Sequence, residues 1–119
     1  MTRNGHQFLQ GTLEVLILKT LSWGPMHGYG IASWIGDRTA GALEIEEGSL
    51  YPALHRMERR AWIDADWRLT AKKRRAKYYR LTREGRKRLR AGASAWSRFA
   101  RAVSQVMDDN EAPAWAVAR

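Results

Sequence analysis

The sequence predicts a mainly α-helical chain that carries one small β-hairpin. Three observations lead there. Apolar residues recur at helical spacing in four separate stretches. A fifth stretch, Ile63 to Thr70, alternates instead, as a strand does. The cationic run Lys72-Lys73-Arg74-Arg75 then separates it from a short aromatic segment, Lys77 to Leu81.

The first helix is expected from Thr12, a capping residue, to about Leu21. Leu13, Leu16, Ile17 and Leu21 share a face that Val15 and Leu18 widen, so the helix should be buried on most sides. Gly24-Pro25 breaks it. A second helix is expected from His27 to Asp37, with Ile31 and Ile35 one turn apart and Trp34 beside them. Gly28 and Gly30 lower its propensity, which fits either close packing on the first helix or a loose start. Residues 38–42 read as a linker, and Leu43-Glu44-Ile45 as a short strand or an extended connector.

A third helix is expected to start at Ser49 as its cap, with Pro52 in the first turn. Leu50, Leu54, Met57 and Ala61 form its buried stripe. Tyr51, His55 and Arg59 form an outward line with Pro52 and Arg56 beside it, so that face is polar, aromatic and basic. In the hairpin, Ile63, Ala65, Trp67 and Leu69 point one way, and Asp64, Asp66, Arg68 and Thr70 the other, as in a half-buried strand. Residues 71–76 form its loop, which lacks Gly and Asn and is therefore not a two-residue turn. Thr82 caps a last helix that runs to about Met107.

On that helix Leu89, Ala93, Trp96, Ala100, Val103 and Met107 are spaced four, three, four, three, four, which is a heptad seam. The seam either packs back on the core or joins two copies. Trp96 is large for such a seam. It either fills space or, beside its copy, leaves a slot for a planar aromatic ligand walled by Phe99, Ala93 and Ala100. The expected organisation is a unit over residues 1–82, a dimerisation helix over 83–107 and a flexible tail over 108–119.

Charge narrows the function. The formal net charge is +9, and 12 of the 21 Lys and Arg fall between Arg68 and Arg90, where the sole acid is Glu84. Such a local run favours a polyanionic partner. With no cysteine, disulfides, thiolate metal sites and cysteine nucleophiles are excluded. His6, His27 and His55 lie far apart and lack metal-ligand spacing. His27 reads as a structural hydrogen-bonding residue. No carboxylate pair is accompanied by a nucleophile or phosphate loop, so no enzyme and no cofactor are expected. The longest apolar stretch, Leu13 to Leu21, contains Glu14 and Lys19 and is far too short to span a bilayer, so a cytoplasmic protein with no membrane partner is expected.

A helix with a polar outer face followed by a basic-tipped ribbon has the layout of a winged helix-turn-helix, which reads duplex DNA. In this reading Ser49 opens the recognition helix and Tyr51, His55, Arg56 and Arg59 reach bases or phosphates. Lys72, Lys73, Arg74 and Arg75 contact phosphates or enter the minor groove, and Lys77 and Arg80 extend the patch towards the helix. A non-specific architectural DNA binder, and a ligand-binding or protein-interaction module that has lost DNA readout, are the competing classes. Sequence preference at fixed salt separates the first, and salt-dependent DNA binding the second.

Several motifs also occur together in order: Gly11-Thr12-Leu13, Met26-His27-Gly28-Tyr29-Gly30-Ile31, Gly48-Ser49-Leu50-Tyr51-Pro52-Ala53-Leu54, and Lys77-Tyr78-Tyr79-Arg80-Leu81-Thr82 followed by Glu84-Gly85. Over residues 9–90 the chain resembles the PadR family of bacterial transcriptional regulators, in its short form with a single C-terminal helix. The resemblance implies a winged helix-turn-helix, a homodimer through the C-terminal helix (Leu89, Trp96, Val103, Met107) and repression through an inverted-repeat operator. Some such members bind flat aromatic drugs between paired tryptophans, and Trp96 falls at that place. One departure stands out. Where the family has glycine between recognition helix and wing, this chain has Arg60-Ala61-Trp62-Ile63, so the helix is expected to run on slightly.

Overall fold

The computed structural model describes the backbone of residues 2–117 and the side chains of residues 11–116. In chain order the elements are α1 (Thr2–Leu21), β1 (Met26–His27), α2 (Gly28–Arg38), α3 (Glu47–Arg59), β2 (Ile63–Leu69), β3 (Arg75–Leu81), α4 (Arg83–Met107) and α5 (Ala114–Val117). The strands form one antiparallel sheet in the order β1-β3-β2.

The core forms where three helices meet the root of the sheet. Ile17, Leu18 and Leu21 of α1, Ile31 and Ile35 of α2, and Leu50, Ala53, Leu54 and Met57 of α3 close on Ile63 and Tyr79. These are the helical-period residues of each segment, so hydrophobic patterning selects the arrangement. Thr12 does not start α1, which begins at Thr2 and has Thr12 inside it. Met26 and His27 form a two-residue strand on β3, opposite Tyr79 and Tyr78. His27 caps α2, its Nδ1 accepting from the Gly30 amide at 2.9 Å.

Gly28 and Gly30 are crowded most closely by residues outside α1. A Cβ at Gly28 would stand 2.8 Å from the Tyr51 ring, and one at Gly30 would collide with Met26. Residues 43–45 form a connector with no strand pairing. The cap of α3 is Glu46, with no side-chain hydrogen bond, and Ser49 lies inside the helix. Pro52 therefore falls in the second turn, where it costs the bond that the Gly48 carbonyl would accept; its ring is exposed.

The helix does not run on past Arg59. Arg60 is its C-cap and Ala61 takes φ 61°, the left-handed region. The Ala61 amide bonds the Glu58 carbonyl and the Trp62 amide the Met57 carbonyl, both at 3.0 Å, so the end is a Schellman motif with alanine in the glycine position. Ala61 is exposed and is not part of the buried stripe.

In the hairpin, pairing continues from Ile63–Leu81 to Leu69–Arg75. The return strand begins at Arg75, two residues earlier than expected. Thr70 and Arg74 are joined by a backbone bond of 2.8 Å, leaving Ala71, Lys72 and Lys73 as the connection. Lys73 sits at φ 62°, the left-handed residue that closes such a three-residue turn. Burial fails beyond the root: Ile63 is buried and Ala65 partly so, but Trp67 and Leu69 are exposed. The wing extends past the layer that its apolar face would need for cover.

Thr82 caps α4, its Oγ1 accepting from the Gly85 amide at 3.0 Å. Gly85 is required there, because a Cβ would collide with the Trp62 carbonyl oxygen. Further along, α4 crosses α1 where Gly92 meets Val15, and Leu89 packs on the core. Beyond this the helix projects away, giving a body of 67 × 28 × 25 Å. The segment after it contains one helical turn, α5. No described helix is long and apolar enough to cross a membrane.

Candidate nucleic-acid interface

The surface of α3 divides into three stripes. Leu50, Ala53, Leu54 and Met57 are buried. Tyr51, His55 and Arg59, one turn apart, are exposed on the outward side. Ser49, Pro52 and Arg56 face α1. Ser49 and Pro52 line a cleft of about 670 Å³ with Thr12, Leu13 and Leu16 of α1 and Leu43 and Ile45 of the connector. Arg56 lies 3.6 Å from Glu14 of α1. The stripe turned outward is therefore Tyr51-His55-Arg59, and Ser49 and Arg56 stand to its side. The Tyr51 ring sits over Gly28 of α2, where any side chain would displace it.

The wing tip carries Lys72, Lys73, Arg74 and Arg75, all exposed. Lys77 and Arg80 occupy opposite faces of β3, because strand side chains alternate. Lys77 reaches back to α3 and donates to Glu58 at 3.0 Å, and this bond raises its pKa. Arg80 donates to Asp64 at 2.7 Å on the outer face, again with a raised pKa. Both cations are thus partly neutralised, and Arg80 does not extend the patch towards the helix. Burial raises the Tyr79 hydroxyl's pKa.

The sequence pattern did not single out Arg68 or Trp67. Arg68 lies 3.1 Å from Asp66 and stacks over Tyr78 at 5.3 Å, while Arg75 stacks over Trp67 at 5.1 Å. Strand alternation assigns Trp67 to the buried face; only the wing's projection beyond the core could have marked it as exposed. Tyr29 is exposed on α2, with its ring stacked on His27.

On α4, Trp96 and Phe99 have ring centroids 6.0 Å apart and are about half exposed. Val103 and Met107 continue the exposed apolar line, with Val106 beside it. Ala93 is exposed and Ala100 partly buried; Leu89 belongs to the core contact instead. No cluster of metal-ligating side chains occurs among the described residues.

Residues 17–91 match the transcriptional regulator PadR-like family. The chain belongs to this family. Its members are transcriptional regulators and not enzymes. A transcriptional regulator from Clostridium thermocellum is 28% identical, with a TM-score of 0.75 over 83% of this chain and 96% of that one. A PadR-like regulator from Bacillus cereus is 26% identical, with a TM-score of 0.74 over 87% of this chain and 99% of that one. The Bacillus subtilis PadR, solved in complex with operator DNA, is 25% identical, with a TM-score of 0.59 over 66% of this chain and 45% of that one. The mainly helical winged fold is shared with these PadR regulators.

Proposed function

We propose that this PadR-family chain is a cytoplasmic, homodimeric repressor that binds an inverted-repeat operator and responds to a ligand. One observation carries the DNA reading: the exposed Tyr51-His55-Arg59 stripe stands on a helix flanked by a wing with four exposed cations at its tip. The helix fits a major groove and the cations fit phosphates. The operator complex of the Bacillus subtilis relative supports the same use of the fold. In this reading Arg59 and His55 face base edges and Tyr51 a phosphate or thymine methyl. Lys72, Lys73, Arg74 and Arg75 bind phosphates. Ser49, Arg56, Lys77 and Arg80 support the surface, since each faces another element or an acid.

The apolar line of α4 supports dimerisation, because a second copy would cover Trp96, Val103 and Met107. A winged domain needs that copy to match a two-fold operator. The units proposed are residues 1–82 for DNA, 83–107 for the dimer and 108–119 as a tail. Trp96 and Phe99, with Ala93 and Ala100, wall only one side of a slot, so a planar aromatic effector requires the partner's copies as the other wall.

Selection of operator duplexes from a random pool, followed by titration at several salt concentrations, tests the reading. Arg59→Ala is expected to lose about 1–3 kcal/mol on the selected operator and to relax preference at one symmetric position. Lys73→Ala with Arg74→Ala is expected to weaken selected and random DNA alike and reduce the salt slope by about two. Equal affinity for every duplex would leave an architectural binder. Quenching of tryptophan fluorescence by planar cationic dyes tests the effector site, and an unchanged affinity in Trp96→Ala would remove that residue from it.

A further inference from the structure

The wing carries two large apolar side chains that the core does not use: Trp67 is 58% exposed and Leu69 64%. The register sets Lys77 opposite Trp67 and Arg75 opposite Leu69, and cross-strand partners share a face. One side of the ribbon thus presents two apolar groups on β2 and two cations on β3. That side looks towards the recognition helix, because Lys77 bridges from it to Glu58 of α3.

We propose that this face is a contact surface for the sugar–phosphate wall of duplex DNA, with Trp67 and Leu69 resting on deoxyribose carbons, Arg75 on a flanking phosphate, and Lys77, paired with Glu58, holding the face against α3. The inference rests on the DNA reading of α3. With α3 in the major groove and the wing tip at the adjacent minor groove, the backbone ridge between them faces this side of the wing. Paired strands lie about 5 Å apart before side chains are added. The minor groove is only about 6 Å wide, so the tip can enter it and the body of the ribbon cannot. The body then lies along the ridge, which alternates anionic phosphate with apolar sugar.

Charge selects this occupant over a second copy of the chain. Lys72, Lys73, Arg74 and Arg75 adjoin the face, so an identical wing would be repelled and a polyanion attracted. The cations alone would suffice for phosphates. The apolar pair adds a contribution that salt does not screen. Arg75 over the Trp67 ring, 5.1 Å from its centroid, holds cation and apolar surface together.

Fluorescence-anisotropy titration of a selected operator across a salt series tests this. Trp67→Ala is expected to weaken binding on the order of tenfold at every salt concentration, by loss of buried apolar area. The slope of log K against log salt should stay unchanged, since no cation is removed. Leu69→Ala, further out on the same face, is expected to show a smaller loss with the same slope. Trp67→Lys adds a cation; on this proposal it still binds more weakly than the wild type at high salt. Thermal unfolding establishes that each variant is folded. Affinity of both alanine variants within about twofold of wild type, or tighter binding by Trp67→Lys throughout the series, overturns the proposal. A wild-type protein without salt-dependent duplex binding sinks the DNA reading itself, a separate failure visible before any variant is made.

Discussion

Ala61→Gly is expected to stabilise the protein. Ala61 is the left-handed residue of the Schellman motif that ends α3, at φ 61°. A left-handed conformation costs an L-residue with a Cβ about 1–2 kcal/mol relative to right-handed helix. Glycine removes that cost but adds freedom to the unfolded chain, which returns about 0.4–1 kcal/mol. Ala61 is exposed, so little packing is lost with its methyl group. The net gain is about 0.5–1 kcal/mol, or a rise in Tm of roughly 2–6 °C for a chain of this size.

Thermal and urea unfolding at one fixed protein concentration measure this, because the proposed dimerisation would make Tm depend on concentration. The urea midpoint should rise with the m value unchanged. Ala61→Val, which puts a branched Cβ at the same φ, should fall below the wild type. The backbone carbonyl of Ala61, which accepts from Thr82 Oγ1 at 2.6 Å, is retained in both variants. A glycine variant equal to or less stable than the wild type, at the same m value, would refute the assignment of strain to this residue.

Two further outcomes follow from the same geometry. Val103→Glu places a charge on the exposed apolar line of α4 without touching the core, and should weaken the proposed dimer on the order of a hundredfold or more by burying an unpaired carboxylate, as light scattering across a dilution series would show. Leu89 is a poorer probe, since it packs on the core and would mix folding with association. Stability should fall above about pH 10. The native pKa values of Tyr79 and Lys77 are both raised, so above their ordinary values the folded state binds more protons than the unfolded one. Their contributions are complete below those values and are lost as pH rises through the native ones; Tyr79→Phe should flatten part of the fall in urea midpoint.

Much of the fold was legible because hydrophobic period and capping chemistry act locally. Thr82 with Gly85 marks the start of α4, and Leu50, Leu54 and Met57 mark the buried side of α3. The failures arose where tertiary contact decides. Ser49 has the side chain of a cap, but the helix starts earlier at Glu46 and leaves it inside. Met26-His27 is too short to register as a strand and exists only because β3 offers a free edge. Ala61 matched the helical repeat, yet Trp62 is held by Thr82, whose amide and hydroxyl lie 3.1 and 2.9 Å from its carbonyl oxygen. The chain must turn before that point, so the turn falls on alanine.

The candidate site shows the same division. A charge run is visible in one dimension, but whether a cation faces DNA depends on the acids that folding brings beside it. Lys77 and Glu58 are nineteen residues apart, and Arg80 and Asp64 sixteen. Arg56 and Glu14 belong to different helices. None of these pairings has a local signature. The tip residues Lys72 to Arg75 escape this ambiguity for a geometric reason: the wing carries them beyond the acidic side chains of the core, so position along the hairpin separates exposed cations from paired ones. The same projection uncovers Trp67 and Leu69, which alternation alone assigns to the interior. A strand's period tells which side chains share a face, and its length relative to the core decides how much of that face is left for a partner.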